Sequence, residues 1–172
     1  MRIEAAAGDI TDQDVDVVVN TANPGLTGGG GVNAAIHRVG GPSILAETEH
    51  LRATTLPDGL ALGDAVATGA GDLSARWVVH TLAPDRHAGQ TDPELLARCF
   101  TRSLEVAAEL GATSVAFPAI GAGAYGWDPV EVARVGVEAV RSAPPSSVET
   151  VRFVLFSTRA LKAIRSAMAA TA

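Results

Sequence analysis

Short apolar runs alternate with longer amphipathic segments along most of the chain. Residues 15–19, VDVVV, are almost continuously apolar and rich in β-branched side chains, a pattern typical of a strand buried on both faces. Three later runs share this pattern, and two weaker runs also fit a strand. The six predicted strands are MRIEA at the start, VDVVV, DAVATG from Asp64, WVVHTLA from Trp77, SVAFPAI from Ser114 and VRFVLF from Val151.

Helical periodicity fills the intervals between the predicted strands. Two helices begin at the pairs Asp92-Pro93 and Asp128-Pro129, where Asp is a good N-cap and Pro suits the first helical position. Glu131 adds the acid of a capping box, and Gly111 is placed to end the earlier helix. Four helices are predicted from apolar stripes, one stripe on each helix. The stripes are Val32, Ala35, Ile36 and Val39; Leu96, Cys99, Phe100, Leu104 and Ala107; Val132, Val135 and Ala139; and Leu161, Ile164 and Met168. A further helix is predicted near residues 43–54.

Alternation of strands and helices predicts parallel pairing with crossover connections, and therefore an α/β fold in three layers, α/β/α. The length of 172 residues suits one domain over residues 1–172. The turn-rich stretch at residues 144–147, PPSS, is too short to be a linker between domains.

Composition narrows the class of protein. The chain is 47% apolar, and its single cysteine, Cys99, cannot form an internal disulfide, which fits a reducing compartment. With 13 basic and 19 acidic residues the net charge is −6, which disfavours nucleic-acid binding. No signal-peptide pattern and no apolar run near the roughly 20 residues of a membrane span is present. We expect a cytoplasmic monomer with no nucleic-acid or membrane partner, no cofactor and no metal.

Two glycine-rich loops follow strong strands. The first is Gly28–Gly31 after VDVVVN, and the second is IGAGAYG, Ile120–Gly126, after SVAFP. Each precedes a helix, so backbone amides and a helix N-terminus are expected at the carboxyl edge of the sheet, where such folds bind ligands. The pair indicates a diphosphate held by amides from two sides. Tight turns remain the alternative, and neither loop matches GxGxxG or a P-loop.

Several motifs in unbroken order carry a resemblance to a known family. They are Gly8-Asp9-Ile10, VDVVVNTANPGLTGGGGV, Ile36-His37-Arg38 with Gly40-Gly41-Pro42, Trp77-Val78-Val79-His80-Thr81, and AFPAIGAGAYG. Over residues 1–165 the chain resembles the macrodomain family, in its branch that hydrolyses mono-ADP-ribose and O-acetyl-ADP-ribose linkages. The resemblance implies a mixed, mostly parallel central sheet between helices.

The resemblance also implies an ADP-ribose site. Asp9 would accept a hydrogen bond from the adenine amino group beside the Ile10 amide, and Phe156 would lie against the adenine face. Asn23 would bond the distal ribose and fix the reacting water, under a cover formed by Tyr125. The amides expected around the diphosphate are those of Gly29, Gly30, Gly31, Val32, Gly121, Ala122, Gly123, Ala124 and Tyr125.

Structural roles compete with these assignments. Asp9 also suits a turn or helix cap, Phe156 a core position and Tyr125 the edge of the core. Asn23 could instead support the turn before Pro24, although Asn20 is the better candidate for this structural role.

Asn33 departs from the family pattern, because many hydrolytic members carry aspartate there. An amide orients water but cannot take its proton, and general-base assistance contributes about 10²–10⁴ in rate. The substrate diphosphate can supply that function. The resemblance, with this departure, therefore implies hydrolysis of ADP-ribosyl esters on Asp or Glu side chains by a water that Asn23 and Asn33 position, and it also implies deacetylation of O-acetyl-ADP-ribose.

Two other functions stay open, a non-catalytic ADP-ribose reader and a phosphatase acting on ADP-ribose 1″-phosphate. His80 and His37 are further candidate bases, but His80 lies in an apolar strand and suits a core position better. Cys99 falls on a buried stripe, so no thiol nucleophile is expected. The expected partners are ADP-ribose, mono-ADP-ribosylated proteins and O-acetyl-ADP-ribose.

Overall fold

All six predicted strands form one sheet in the order β1-β6-β5-β2-β4-β3. The computed structural model describes residues 1–170. Every neighbouring pair is parallel except β3 and β4, which are antiparallel, so the mixed, mostly parallel sheet is confirmed. The strands are β1 Arg2–Ala7, β2 Val17–Thr21, β3 Ala65–Gly69, β4 Trp77–Thr81, β5 Ser114–Phe117 and β6 Thr150–Leu155.

Strand β2 begins and ends two residues later than the sequence predicts. Val15 is buried, but pairing with β4 starts only at Val17 opposite Trp77 and runs to Thr21 opposite Thr81. The backbone carbonyl of Asp16 accepts from the amide of Trp77, and this bond closes the start of the ladder. The shift places Asn20 inside the strand, where it is fully buried.

Five helices cover the two faces of the sheet and confirm the three layers. They are α1 Gly31–Gly40, α2 Pro42–Ala53, α3 Pro93–Glu109, α4 Pro129–Ser142 and α5 Thr158–Ala170, with single 3-10 turns at Ile10–Asp12 and Arg86–Ala88. Helices α3, α4 and α5 pack on one face with Val17 and Val19 of β2, and α1 and α2 pack on the other face with Val18. This alternation buries both faces of the strand, as its apolar run predicts.

The buried face of α1 differs from the predicted stripe. Val39 is 39% exposed, whereas Asn33, Ile36 and Gly40 are buried. A side chain at residue 40 would place its Cβ 2.3 Å from Cδ1 of Ile44 and 3.3 Å from the Ala70 carbonyl oxygen, so glycine lets α1 lie against α2 without a shift of Ile44. The prediction for Val39 is wrong because close helix packing at Gly40, and not apolar periodicity, sets the rotation of α1.

Helix ends follow the sequence signals with one correction. Asp92 and Asp128 cap α3 and α4 by accepting from the amides of Glu94 and Val130, and Gly111 follows α3 with φ of 73°. Glu131 forms an ion pair with Arg86 instead of completing a capping box. Within residues 1–170, no helix combines the length and hydrophobicity that crossing a bilayer requires.

Candidate functional site

Five strands of the sheet run in parallel, so their carboxyl ends meet at one edge. Along this edge lie Asp9 after β1, Phe156 after β6, the second glycine loop after β5 and the first glycine loop after β2. With neighbouring strands about 4.8 Å apart, these four segments extend over about 14 Å. The structure therefore brings the predicted site segments together as a row across the strands.

Asp9 caps the 3-10 turn at Ile10–Asp12. Its Oδ1 accepts from the Thr11 amide at 2.9 Å and from the Thr11 hydroxyl at 2.7 Å. These two bonds, with the hydroxyl first, lower the pKa of Asp9 against the opposing effect of burial, and the charge of Arg38 adds to the lowering. Oδ2 has no hydrogen-bond partner among residues 1–170. The capping role is confirmed, and one oxygen is left to accept from a ligand.

Phe156 lies one residue beyond the end of β6. Its side chain is 72% exposed, so the alternative of a core position is wrong. An aromatic ring that stays exposed at the ligand edge of an α/β sheet is available for stacking on a base.

The first glycine loop leads directly into α1. Gly28, Gly29, Gly30 and Gly31 are all exposed, and Gly30 occupies the N-cap position without a side chain. The first amides of a helix have no partner within the helix, and together with the helix dipole they favour an anion. The amides of Gly31 and Val32 are in this position.

Asn23 holds the chain that enters this loop. Its Oδ1 accepts from the Thr27 amide at 2.9 Å, and its Nδ2 donates to the Thr27 carbonyl oxygen at 3.1 Å. The Thr27 hydroxyl adds a contact to each end of the same amide. Between them, Leu26 is buried with φ of 56°, a left-handed conformation that is uncommon for a residue other than glycine. Asn23 therefore fixes a constrained turn.

Asn33 is 5% exposed and uses both ends of its amide within the protein. Its Nδ2 donates to the Thr27 carbonyl oxygen at 2.9 Å, and its Oδ1 accepts from Asn20 Nδ2 at 2.9 Å. A Cβ at Gly29 would lie 3.0 Å from Nδ2 of Asn33 and 3.6 Å from Nδ2 of Asn23. The two predicted catalytic amides thus converge beneath the bare backbone of Gly29.

The second glycine loop leaves several amides unpaired. The amides of Gly121, Gly123, Ala124 and Tyr125 donate to no other group among residues 1–170, whereas that of Ala122 bonds the Ala119 carbonyl at 3.1 Å. β5 pairs directly with β2, so this loop lies beside the first one. The predicted pair of amide clusters at adjacent strand ends is present.

Tyr125 links the second glycine loop to the apolar core that lies beneath the first glycine loop. Its half-buried side chain packs against the main core and against a small cluster that contains Leu26, Leu60 and Leu82. Burial, and then the negative charge of Asp85, raise the pKa of the Tyr125 hydroxyl. Tyr125 therefore stays a neutral hydrogen-bond donor through the physiological range.

A second support of this loop has no counterpart in the predictions. The Arg86 amide donates to the Tyr125 carbonyl at 3.0 Å, and the Trp127 indole donates to the Pro84 carbonyl at 2.8 Å. The Arg86 guanidinium lies 4.7 Å from the centre of the Trp127 ring and pairs with Glu131. The β4–α3 connection thereby fixes the second loop. The only sequence signal was a tryptophan directly after a glycine loop.

The remaining candidate groups do not form a reactive site. His80 is buried and bonded at both ring nitrogens, and burial together with the charge of His37 lowers its pKa to about 3. Burial raises the pKa of the Cys99 thiol to about 11. No group of three or more His, Cys, Asp or Glu side chains within residues 1–170 converges to hold a metal ion.

A cavity of about 590 Å³ lies at the amino ends of β1 and β6, away from the glycine loops. It includes Met1, Ile3, Pro145 and Arg141, whose guanidinium donates to the Met168 carbonyl. Ser146 and Glu149 also line it. None of the predicted site residues lies in this cavity, so it is separate from the carboxyl edge of the sheet.

Comparisons with known proteins agree with this geometry. The family model described as Macro domain matches residues 19–136. A Macro domain-containing protein of Streptomyces nogalater is 54% identical over 158 residues, which are 92% of this chain and 87% of the relative. An O-acetyl-ADP-ribose deacetylase of Cronobacter sakazakii is 48% identical over 140 residues, or 81% of this chain and 77% of its own.

Solved structures show the same fold. A Trypanosoma brucei macrodomain in complex with ADP-ribose aligns with a TM-score of 0.87 at 29% sequence identity, over 97% of this chain and 69% of its own. The chain belongs to the Macro domain family.

Proposed function

We propose that this protein binds ADP-ribose along the carboxyl edge of its sheet and hydrolyses ADP-ribosyl esters. The observation that carries the proposal is the pair of glycine loops on adjacent parallel strands, both with unpaired backbone amides. The deacetylase among the relatives and the structural neighbour solved with ADP-ribose support the same ligand class.

The order of segments along the edge suits the order of groups in ADP-ribose. The adenine lies between the free oxygen of Asp9 and the exposed ring of Phe156. The diphosphate takes the amides of the two loops, where helix α1 adds its dipole. The distal ribose then reaches Asn23 and Tyr125. An extended ligand of alternating rings and phosphates thus crosses the strands one after another.

In the hydrolysis, water attacks C1 of the distal ribose. A bond forms between the water oxygen and C1, and the bond from C1 to the Asp or Glu carboxylate oxygen breaks. The freed carboxylate keeps the electron pair, and the proton of the water passes through a diphosphate oxygen to solvent. Asn23 and Asn33 position this water, and the loops exclude bulk solvent from it. O-acetyl-ADP-ribose is a second substrate of the same site.

One observation favours a second candidate, the non-catalytic reader. The side chain at position 33 is a buried amide bonded to Asn20 and Thr27, and an amide does not take up a proton as a carboxylate does. A reader needs the amide clusters but no base. We propose in addition a monomeric, cytoplasmic protein whose partners are mono-ADP-ribosylated proteins or O-acetyl-ADP-ribose.

Two measurements on the same preparation separate these functions. Calorimetric titration with ADP-ribose measures binding, and release of ADP-ribose from a protein modified on Asp or Glu measures hydrolysis. We expect micromolar binding and multiple turnovers. Binding without release at micromolar enzyme over hours would establish the reader. Release of inorganic phosphate from ADP-ribose 1″-phosphate alone would establish the phosphatase, and absence of binding would overturn the proposal.

A further inference from the structure

A chain of buried hydrogen bonds crosses the sheet beneath the first glycine loop. Its four side chains come from β3, β4, β2 and α1, and none is more than 5% exposed. The distances along it are 2.9 Å from Thr68 Oγ1 to His80 Nε2, 3.1 Å from His80 Nδ1 to Asn20 Nδ2, and 2.9 Å from Asn20 Nδ2 to Asn33 Oδ1. The chain ends where Asn33 Nδ2 donates to the Thr27 carbonyl.

The Thr27 carbonyl decides how both asparagine amides are oriented. A carbonyl oxygen only accepts, so Asn33 presents its Nδ2 to Thr27 and its Oδ1 to Asn20. Asn20 then donates to Asn33 through Nδ2. Reversal of either amide would place two acceptors face to face. The Oδ1 of Asn20 has no hydrogen-bond partner among residues 1–170. The bonds to Asn33 and His80 therefore set the orientation of the Asn20 amide, although its own oxygen is left unpaired.

The same logic fixes the proton on His80. Nδ2 of Asn20 donates one hydrogen to Asn33 and the other to Nδ1 of His80, so Nδ1 carries no proton. The neutral ring therefore holds its proton on Nε2 and donates to Thr68 Oγ1, which in turn donates to the Gly69 carbonyl at 2.9 Å. Each hydrogen in the chain has one position.

We propose that His80 is a positioning residue, which acts through Asn20 to hold the amide of Asn33 and the Thr27 carbonyl, and so sets the shape of the first glycine loop. The proposal rests on the proposed function, because it makes this buried histidine necessary for a site that it does not touch. Hydrogen bonds in a buried chain polarise and strengthen one another, so loss of one member weakens the others.

His80 has no direct part in the chemistry. Its side chain is 1% exposed, and the nearest ring, that of His37, lies 6.4 Å away between centres. A second proton would have to enter at Nδ1, against the Nδ2 donor of Asn20. Burial, and then the charge of His37, lower the pKa of His80 to about 3, so the ring is neutral and the hydrogen bonds keep their direction at neutral pH.

Two isosteric variants of His80 test the proposal. In His80→Asn, the side-chain oxygen stands near the place of Nδ1 and still accepts from Asn20. In His80→Gln, the terminal amide stands near the place of Nε2, which keeps a bond to Thr68 but leaves Asn20 without its acceptor. We expect His80→Asn to bind ADP-ribose within about threefold of the wild type and His80→Gln to bind about tenfold more weakly or worse.

A spectroscopic measurement reports on the chain without any ligand or turnover. The side-chain amide of Asn33, followed by nuclear magnetic resonance and assigned through Asn33→Ala, should keep its shift and its protection from solvent exchange in His80→Asn and lose both in His80→Gln. If the wild type binds ADP-ribose but does not hydrolyse its esters, the proposed hydrolase fails while these two measurements still decide the role of His80.

Equal behaviour of the two variants, in affinity and in the Asn33 resonance, would overturn the proposal and leave His80 as a filler of the core. If both variants fail to fold, Thr68→Val and Thr68→Ser make the same comparison from the far end of the chain. Serine keeps the hydroxyl and should preserve the Asn33 resonance, whereas valine should alter it. No difference between these two would overturn the proposal in the same way.

Discussion

The side chains of Asn23 and Asn33 donate to one acceptor, the Thr27 carbonyl oxygen, at 3.1 and 2.9 Å. One asparagine lies before the glycine loop and the other on the helix after it, so the two amides join the ends of the loop. Gly29 passes directly over both nitrogens. The position of a ligand held by this loop is therefore tied to the two residues proposed to orient the reacting water.

Replacement of Asn23 by alanine tests its part in turnover. Asn23→Ala removes the bonds that hold Thr27 and the proposed contact to the distal ribose. We expect the single-turnover rate of ester hydrolysis to fall by about 10²-fold or more, since a small misplacement of reacting groups costs this much. The affinity for ADP-ribose, measured by calorimetry, should fall by less than about tenfold.

Asn23→Asp is the matched control for that variant. The carboxylate still accepts from the Thr27 amide, but its second oxygen faces the Thr27 carbonyl in place of the Nδ2 donor, so the loop entry is held more weakly than in the wild type and more strongly than in Asn23→Ala. Equal losses of rate and affinity in Asn23→Ala would contradict a role in turnover and assign Asn23 to the structure of the turn.

Introduction of aspartate at position 33 should not raise the proposed rate of ester hydrolysis. In Asn33→Asp a carboxylate oxygen would face the Thr27 carbonyl, and the bond to it is lost. We expect the free energy of unfolding to fall by about 1–3 kcal/mol and the rate of ester hydrolysis to stay at or below that of the wild type. Urea unfolding and single-turnover kinetics measure these changes. A clear gain in rate would instead show that a missing base limits the reaction.

Gly123 separates ligand binding from stability. A Cβ at this residue meets no atom within 4 Å, so Gly123→Val should leave the free energy of unfolding within about 0.5 kcal/mol of the wild type. The valine would crowd a bound diphosphate, and we expect the affinity for ADP-ribose to fall about tenfold or more. Undiminished affinity in calorimetry would rule out this place for the diphosphate.

The neighbouring Gly121 provides the opposite case. Its φ is 80°, and a Cβ there would lie 2.8 Å from Cδ1 of Trp127. Gly121→Ala should therefore destabilise the fold by about 1–3 kcal/mol in the absence of ligand. The pair shows which glycine serves the fold and which serves the ligand.

Removal of the Phe156 ring should weaken binding with little effect on folding. Because the side chain is 72% exposed, Phe156→Ala loses few core contacts. Loss of stacking on adenine should cost about 1–3 kcal/mol of binding, or about 5–150-fold in affinity for ADP-ribose. Ribose 5-phosphate, which lacks the base, should bind both proteins alike. Val130→Ala, at another exposed apolar residue, is the control and should bind ADP-ribose normally.

The buried His80 should make the protein less stable in mild acid. Its pKa falls from 6.5 to about 3 on folding. Between pH 6.5 and about pH 3, the unfolded chain therefore binds a proton at His80 that the folded chain does not bind. Stability is then full above pH 6.5 and falls by about 1.4 kcal/mol per pH unit below it. The free energies of unfolding measured in urea at pH 7 and at pH 5 should differ by about 2 kcal/mol because of this residue. His80→Asn should show a smaller difference, set by His37, whose pKa burial also lowers. An unchanged difference would contradict the assignment.

The positions of the strands and the places of the loops followed from the sequence because each depends on local pattern. β-branched runs gave the strands, and glycine clusters after them gave the ligand edge. The neighbours of Asp9 and Phe156 depend on the order of the strands, in which β1 pairs with β6 and β6 with β5, and local pattern did not predict that order.

Interactions between distant residues could not be predicted in the same way. Asn33 is buried although helical periodicity treats asparagine as polar, and its partner Asn20 became visible only once the start of β2 was known. Glu131 suited a cap, but Arg86, 45 residues away in sequence, holds it instead. Such partners depend on strand register and helix rotation, which a local pattern does not encode.

The parallel strands place separate connections of the chain side by side at one edge of the sheet. In the proposed site, the adenine meets the segments after β1 and β6, and the diphosphate and distal ribose meet those after β5 and β2, at the regular spacing of the strands. Substitution or lengthening in one connection can therefore change the preference for one group while its neighbours keep theirs. Such a scaffold can acquire new specificity piece by piece, without rebuilding the framework that sets the spacing.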